Sequence, residues 1–382
     1  IKDIVMVKKN YEPWQFKPVT RTQFAALSLR EKLMFLCRLG HLAPSSHNSQ
    51  PWRFYIDSNP RKPGIDVYLD RRFVLPASDV AGRQAAISIG CAIENMVVGL
   101  SFLHGAPDIE IVRQAKSSLL PLPDRHASKI SQYVHLARLN YVINTRPLPL
   151  EDLYASIFSR KVTRAEFDPQ QSLSSELIGR LSSATDRKKT KLYIITDAIR
   201  RMSIAEFQGQ ADGFVINSPR FSKELGAWLL PNDTDAPLGM PGIGFGLHDD
   251  EATRIHRGLL GESPLRPEDS LKFALGGKVY MEKSPFIGCI VIPKDEVAYW
   301  IEAGRSFERM FLILESAGVS VAIHAGIIEV GLVTRIFGAM LGTFRRPAVL
   351  FRAGIVKNKK DKERPHSPRL PIESVILPKR YA

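Results

Sequence analysis

The stretch Ala43-Pro44-Ser45-Ser46-His47-Asn48-Ser49-Gln50-Pro51-Trp52-Arg53-Phe54 decides how this chain is read. It falls where a helical pattern ends and a strand pattern begins. Serine hydroxyls, an imidazole and two carboxamides stand between two prolines, which is many hydrogen-bonding groups in little space. Pro44 and Pro51 fix φ on either side, so the loop is stiff before any ligand arrives. A stiff polar loop loses little entropy on binding, which suits a large, flat, heteroatom-rich ligand; a plain helix-to-strand connection is the competing reading.

Working outward, Ser28 and Glu31 form a capping box for a helix over about Leu29–Gly40, with Leu29, Leu33, Leu36, Cys37 and Gly40 on one face. After the loop come strands at Trp52–Asp57 and Ile65–Leu69, a long apolar helix at Arg83–Leu103 and a strand at Asp108–Val112. The second half restates this order: helices near Leu150–Phe158 and Ser175–Ser183, a strand at Lys191–Thr196, an irregular middle, a strand at Ile287–Ile292, a long helix over Gly304–Ala317 and a strand at Ala348–Ile355. Ala81-Gly82-Arg83 and Ala303-Gly304-Arg305 are expected to open the two long helices alike.

The run Pro44-Ser45-Ser46-His47-Asn48-Ser49-Gln50-Pro51-Trp52 resembles the P-S-S-x-N-x-Q-P-W loop of the FMN-dependent nitroreductase family. Arg160-Lys161-Val162-Thr163-Arg164 is similar to that family's R-R-[ST]-x-R motif, departing from it at Val162, where Thr163 next door is the substitute hydroxyl. Ser367-Pro368-Arg369-Leu370-Pro371 resembles its closing R-x-P segment. With both halves counted, the resemblance covers roughly Ser28 to Ile376 and points to the tandem-fused, Acg-type branch.

The resemblance implies an α+β, nitroreductase-like fold with two tandem halves forming an intramolecular pseudo-dimer: residues 1–145 carrying the loop, and residues 146–382 carrying the arginine run. It implies FMN bound by Pro44, Ser45, Ser46, Asn48 and Gln50, by Arg160, Lys161, Arg164 and Arg369 at the phosphate, and by a backbone N–H of Ala325 or Gly326 at flavin N5. The second half has no counterpart of the loop (Ser182-Ser183-Ala184-Thr185-Asp186-Arg187 stands there) and the first half has no arginine motif. The halves are therefore expected to complement each other in one flavin site. NADPH or NADH is the implied reductant and a quinone, nitroaromatic or other conjugated small molecule the acceptor. No catalytic side chain is required, because the hydride chemistry belongs to the flavin. A flavin-storing protein without turnover is the alternative.

Residues 231–277, rich in Gly and Pro (Pro237-Leu238-Gly239-Met240-Pro241-Gly242), read as a long irregular segment and an expected lid. With 382 residues, 44% hydrophobic and 24% charged, the chain is long enough for two cores and is globular in composition. Cys37, Cys91 and Cys289 suit buried thiols in a reducing compartment, so a cytoplasmic location is expected. The nine histidines show no metal-ligand spacing. The net charge of +14 carries no nucleic-acid motif with it and is read as a field that draws phosphorylated ligands. Glu94 and Asn95 interrupt the apolar helix, which excludes a membrane span there. Neither nucleic acid nor membrane is expected as a partner, and the internal pseudo-dimer is compatible with a monomer.

Overall fold

The Ser28–Glu31 capping box closes in both directions, with the Ser28 N–H 2.8 Å from the Glu31 carboxylate. It starts the second of the helices in a computed structural model that describes residues 8–122, 132–142 and 146–381. In chain order the elements are α1 (Arg21–Ala26), α2 (Leu29–His41), β1 (Trp52–Asp57), β2 (Gly64–Asp70), α3 (Arg83–Leu103), β3 (Asp108–Ile111), β4 (Tyr133–Asn140), α4 (Glu151–Ser159), α5 (Ser175–Ser183), β5 (Lys191–Ile195), α6 (Ala198–Asn217) and α7 (Pro219–Trp228). They continue with β6 (Leu229–Leu230), β7 (Met240–Pro241), α8 (Asp249–Leu260), α9 (Pro267–Glu282), β8 (Phe286–Ile292), α10 (Val297–Ser316), β9 (Ser320–His324), α11 (Gly326–Glu329), α12 (Gly331–Met340) and β10 (Arg346–Gly354).

The chain forms two compact units, and they do not follow the expected cut between residues 145 and 146. That boundary adjoins residues 143–145, which lie outside the described residues. The first unit comprises Lys9–Arg160, Glu296–Ser316 and Arg369–Ala382; the second contains Lys161–Asp295 and Ala317–Pro368. Helix α10 and the C-terminal tail thus belong with the N-terminal sheet, although the strands that flank α10 in sequence belong to the other unit. Apolar periodicity shows that a helix is buried and leaves open against which sheet, so the exchange is invisible in sequence.

Each unit is built on a four-stranded antiparallel sheet, giving an α+β architecture. The spatial orders are β1-β2-β4-β3 and β5-β8-β10-β9, the same arrangement of first, second, fourth and third strand. A long helix follows the second strand in both.

In the first unit α3 is buried over nearly all its length, which explains its apolar composition; it is long and apolar enough to cross a membrane, but its surroundings are protein. Its two polar interruptions are held by partners from other helices. Glu94 pairs with Arg305 at 3.1 Å and Arg309 at 2.5 Å, and the Asn95 amide donates to the Leu39 carbonyl. Helices α3 and α10 cross at Gly90 and Gly304, where a Cβ on Gly304 would lie 1.9 Å from the Ile87 carbonyl oxygen. Gly304 therefore sits inside its helix as a packing residue and does not open it, whereas Gly82 is the N-terminal cap of α3 at φ 70°. The tail borders β1: the Leu377 N–H donates to the Phe54 carbonyl at 2.7 Å, and Arg380 pairs with Asp57 and Asp66.

In the second unit, β8 and β10 pack with α6, α11 and α12 around Ile204, Ile287, Cys289, Ile327, Phe337 and Leu350. The middle expected to be irregular is helical. Ile216, Leu225, Leu229, Met240 and Leu259 form a separate small core that ties α7, β6, β7 and α8 together. Residues 231–277 are thus a folded part of this unit, with α8, the first part of α9 and a 3₁₀ turn at Gly242–Phe245. A β6–β7 pair too short to show periodicity anchors the Gly/Pro run.

Candidate functional site

The polar loop is bent into a conformation that ordinary residues avoid. His47, Asn48 and Gln50 have φ of 48°, 56° and 49°, and they are the non-glycine residues with positive φ among those described. Each such residue costs on the order of 1 kcal/mol or more and persists only where its surroundings hold it. Here the hold is explicit. The Gln50 N–H donates to Ser45 Oγ at 3.0 Å, and Gln50 Oε1 accepts from the Leu370 N–H at 2.9 Å. Ser46 Oγ lies 2.5 Å from Gln84 Oε1 on the first turn of α3. Pro44, at the start of the bend, is buried.

Arg369 organises the approach to the loop. Its Nε donates to the His41 carbonyl, Nη2 to the carbonyls of Leu42 and Ala43 (3.2 and 2.9 Å), and Nη1 to Asn48 Oδ1 at 2.7 Å. The guanidinium therefore caps the C-terminal end of α2, where unsatisfied carbonyls favour a cation. Arg160 reaches the same Leu42 carbonyl, lies 3.0 Å from Glu308 Oε1 and stacks on Phe311. Both arginines are almost fully buried, and burial pulls the Arg369 pKa down to about 9.

Three residues that sequence reasoning passed over complete this region. His41 Nδ1 accepts from Trp52 Nε1 at 2.9 Å and its Nε2 faces the Leu370 carbonyl at 2.7 Å, which fixes the Nε2–H tautomer. Burial holds its pKa down to about 3, so it stays neutral. Arg53, paired with Asp70 at 3.1 Å, donates to the Gln50 and Trp52 carbonyls. Asp79 accepts from the N–H groups of Gln84 and Ala85, and burial pushes its pKa up to about 6. The sequence signals were a carboxylate just ahead of a long helix and an arginine inside an apolar strand, both common in other roles.

The remaining expected residues gather in the second unit. The chain passes from one unit to the other between Arg160 and Lys161. Val162 bridges Val321, and the Thr163 N–H donates to the Val321 carbonyl at 2.8 Å, which sets Lys161 and Arg164 beside β9. Thr163 is buried and its hydroxyl donates back to the Lys161 carbonyl, so it is turned into the protein rather than outward as a substitute for the absent family hydroxyl. Lys161 Nζ donates to the Arg364 carbonyl at 2.5 Å. Arg164 stacks on Phe245 at 4.2 Å and meets Met240 Sδ at 3.7 Å, while Arg364 donates to its carbonyl. Burial, with Arg364 nearby, lowers the Arg164 pKa to about 10.

Strand β9 ends at His324, and Ala325 then caps the short helix α11 that begins at Gly326. A Cβ on Gly326 would lie 2.5 Å from Asp212 Oδ1 and 2.9 Å from Gln208 Nε2, so a larger residue here would have to displace the ends of those two α6 side chains. His324 Nε2 accepts from Arg352 Nε at 3.0 Å. Burial first, then Arg352 and Arg164, hold the imidazole well below its usual pKa. Arg352, itself buried between Phe167 and Tyr280, is a further cation the sequence did not mark out. Asp212 is pushed up to about 7 by burial. Among the described residues no group of three His, Cys, Asp or Glu side chains could hold a metal ion, and the three cysteines are free and buried.

No protein-family model matches the chain. Over 349 residues, 91% of this chain and 92% of the relative, it is 23% identical to an uncharacterized protein, Rv3127, of Mycobacterium tuberculosis. Over 82 residues, 22% of each chain, it is 29% identical to "Putative NAD(P)H nitroreductase acg" of the same organism. Among solved structures, the FMN-dependent nitroreductase NfnB of Mycobacterium smegmatis, in complex with NADPH, aligns with TM-score 0.38 and 14% identity over 61% of this chain and 98% of its own. The hypothetical oxidoreductase YcnD of Bacillus subtilis aligns with TM-score 0.37 and 10% identity over 61% and 75%.

Proposed function

We propose that this protein is an FMN-dependent NAD(P)H oxidoreductase of nitroreductase type, of the tandem-fused branch. One observation carries the reading. The Pro44–Trp52 loop is held in an otherwise unfavourable left-handed conformation by Arg369, Arg53 and the Gln50 carboxamide, at the residues where the resemblance places the flavin. Strain kept at such expense in buried hydrogen bonds is the mark of a preorganised binding loop. A bare connector between α2 and β1 has no need of it.

The donor set fits an anionic, heteroatom-rich ligand. In the first unit Pro44, Ser45, Ser46, Asn48 and Gln50 are assigned to binding, with Arg160 and Arg369 shaping the loop and supplying positive potential. In the second unit Lys161 and Arg164 are assigned to the phosphate, and Ala325 or Gly326 to a backbone N–H donor. When bound, FMN supplies the acceptance of hydride from NAD(P)H and its passage to a quinone, nitroaromatic or other conjugated acceptor. The chain's own part is to bind, orient and set the electrostatics. His41 stays neutral and spent on Trp52 and Leu370, so no side-chain acid is assigned in the loop.

A second reading has its own observation. Phe245 and Met240 lie on Arg164, so the 231–277 segment covers a cation assigned to the ligand. That arrangement favours a flavin-storing protein without turnover. An anaerobic NADPH titration of the FMN-loaded protein, followed at the oxidised-flavin absorbance band, tests both. Bleaching in proportion to NADPH is expected. Flavin that binds tightly and stays oxidised with NADPH and NADH would favour storage, and failure to bind FMN would overturn both.

A further inference from the structure

Helix α12 is apolar on the face that should be wet. Its inner side places Thr334, Phe337 and Leu341 in the protein interior, as an amphipathic helix should. Its outer side carries Leu332 at 64% exposure, Ile336 at 45% and Met340 at 39%, and Phe344 just beyond the helix end is fully exposed. The spacing of four residues lines Leu332, Ile336 and Met340 along one strip of the helix. An apolar helix face is normally covered, and this one is not.

Cations gather at the Phe344 end. Arg345 Nη2 donates to the Arg187 carbonyl at 3.4 Å, which brings the exposed turn Arg187-Lys188-Lys189 beside the Thr343–Arg345 loop. Tyr193 reaches Thr343 through its hydroxyl, and Lys191 lies over the Tyr193 ring at 4.6 Å. Arg335 is exposed on α12 itself. Acids stand here too: Asp186 Oδ1 accepts the Lys188 N–H, and Asp295 pairs with Arg346 at 3.2 Å. Protruding apolar side chains next to a surplus of lysine and arginine form the pattern that lies on an anionic lipid surface, with the side chains entering the acyl boundary and the cations at the headgroups.

We propose that α12, Phe344 and the Arg187–Lys191 cations form a docking surface for an anionic membrane. Charge complementarity selects this occupant over a second copy of the chain, which would bring a net +14 and the same cations against themselves. The surface is independent of the flavin reading. It also departs from the sequence expectation of no membrane partner, which considered only a spanning helix.

The test is co-sedimentation of the full chain with phosphatidylcholine vesicles, with and without phosphatidylglycerol. Binding only to the anionic vesicles, released by salt, is expected. Arg187→Glu, Lys188→Glu and Lys189→Glu together should weaken it at least about 100-fold. Leu332→Ser with Phe344→Ser should also weaken it with little change in the thermal midpoint, since both side chains are mostly exposed. Absence of binding to either vesicle, or binding unchanged by the serine pair, would overturn the proposal. So would concentration-dependent self-association abolished by the serine pair, or tighter salt-sensitive binding to duplex DNA than to vesicles.

Discussion

Arg369 shows how one side chain can set the shape of a whole site. Its guanidinium satisfies carbonyls of His41, Leu42 and Ala43 and the Asn48 carboxamide together. Arg369→Met keeps the apolar stem and removes every donor, leaving buried acceptors unpaired at about 1–3 kcal/mol each. A loss of about 3–5 kcal/mol in urea unfolding is expected, with FMN affinity, read by flavin fluorescence, down at least about tenfold, which is 1.4 kcal/mol. Asp79 makes a pH prediction. Its carboxyl titrates near 6 when folded against an ordinary value of 3.8, so the unfolded chain releases this proton first. Its contribution to stability is full below about pH 4 and is lost as pH rises through about 6, at about 1.4 kcal/mol for each pH unit crossed between those two values. Asp79→Asn should remove that slope between pH 4 and 6 in chemical unfolding curves; an unchanged slope would show that the carboxyl is not buried as described.

At the scale of elements, the α3–α10 crossing depends on two glycines. A methyl at Gly304 would meet the Ile87 carbonyl and one at Gly90 the Ile301 carbonyl at 2.1 Å, both backbone atoms that cannot rotate away. Gly304→Ala must push the helices apart, and a loss of about 1–3 kcal/mol is expected on thermal or urea unfolding. Gly179→Ala on α5, where a Cβ meets nothing within 4 Å, is the control and should be neutral or slightly stabilising. The same scale shows what the sequence revealed. Ser28 with Glu31, the run Trp52–Asp57 and the span Arg83–Leu103 end where local chemistry says they should. Helix α6 was hidden because Ile199, Met202 and Phe214 are exposed while Gln208 is buried, which breaks its apolar stripe. Helix α8 carried good signals, an acidic first turn at Asp249–Glu251 and Gly261 at its end, but the neighbouring Gly/Pro run outweighed them.

At the scale of the molecule, the two units interleave in sequence. The tail from Arg369 onward belongs to the N-terminal unit, bordering β1 and pairing Arg380 with Asp57 and Asp66. Ending the chain after Pro368 should therefore destabilise the unit built on the N-terminal sheet, though the deleted residues are the farthest from it in sequence. Hydrogen exchange should then show lost protection in β1 and β2 while β8 and β10 keep theirs; equal loss in both sheets would contradict the division. The +14 charge acts at this scale too, as a field over both units rather than a property of either.

The sequence by itself determined the α+β pattern of elements, the polar loop after the first long helix and the identities of the cations, because caps, periodicity and turn chemistry act within a few residues. Tertiary structure decided the rest. Arg160 and Arg369, more than two hundred residues apart, meet at one carbonyl and turn inward to hold the loop, while Lys161 and Arg164 join a different unit. It also left one apolar helix face uncovered. Burial and long-range pairing fix which partner each side chain faces, and no local pattern in the chain encodes that choice.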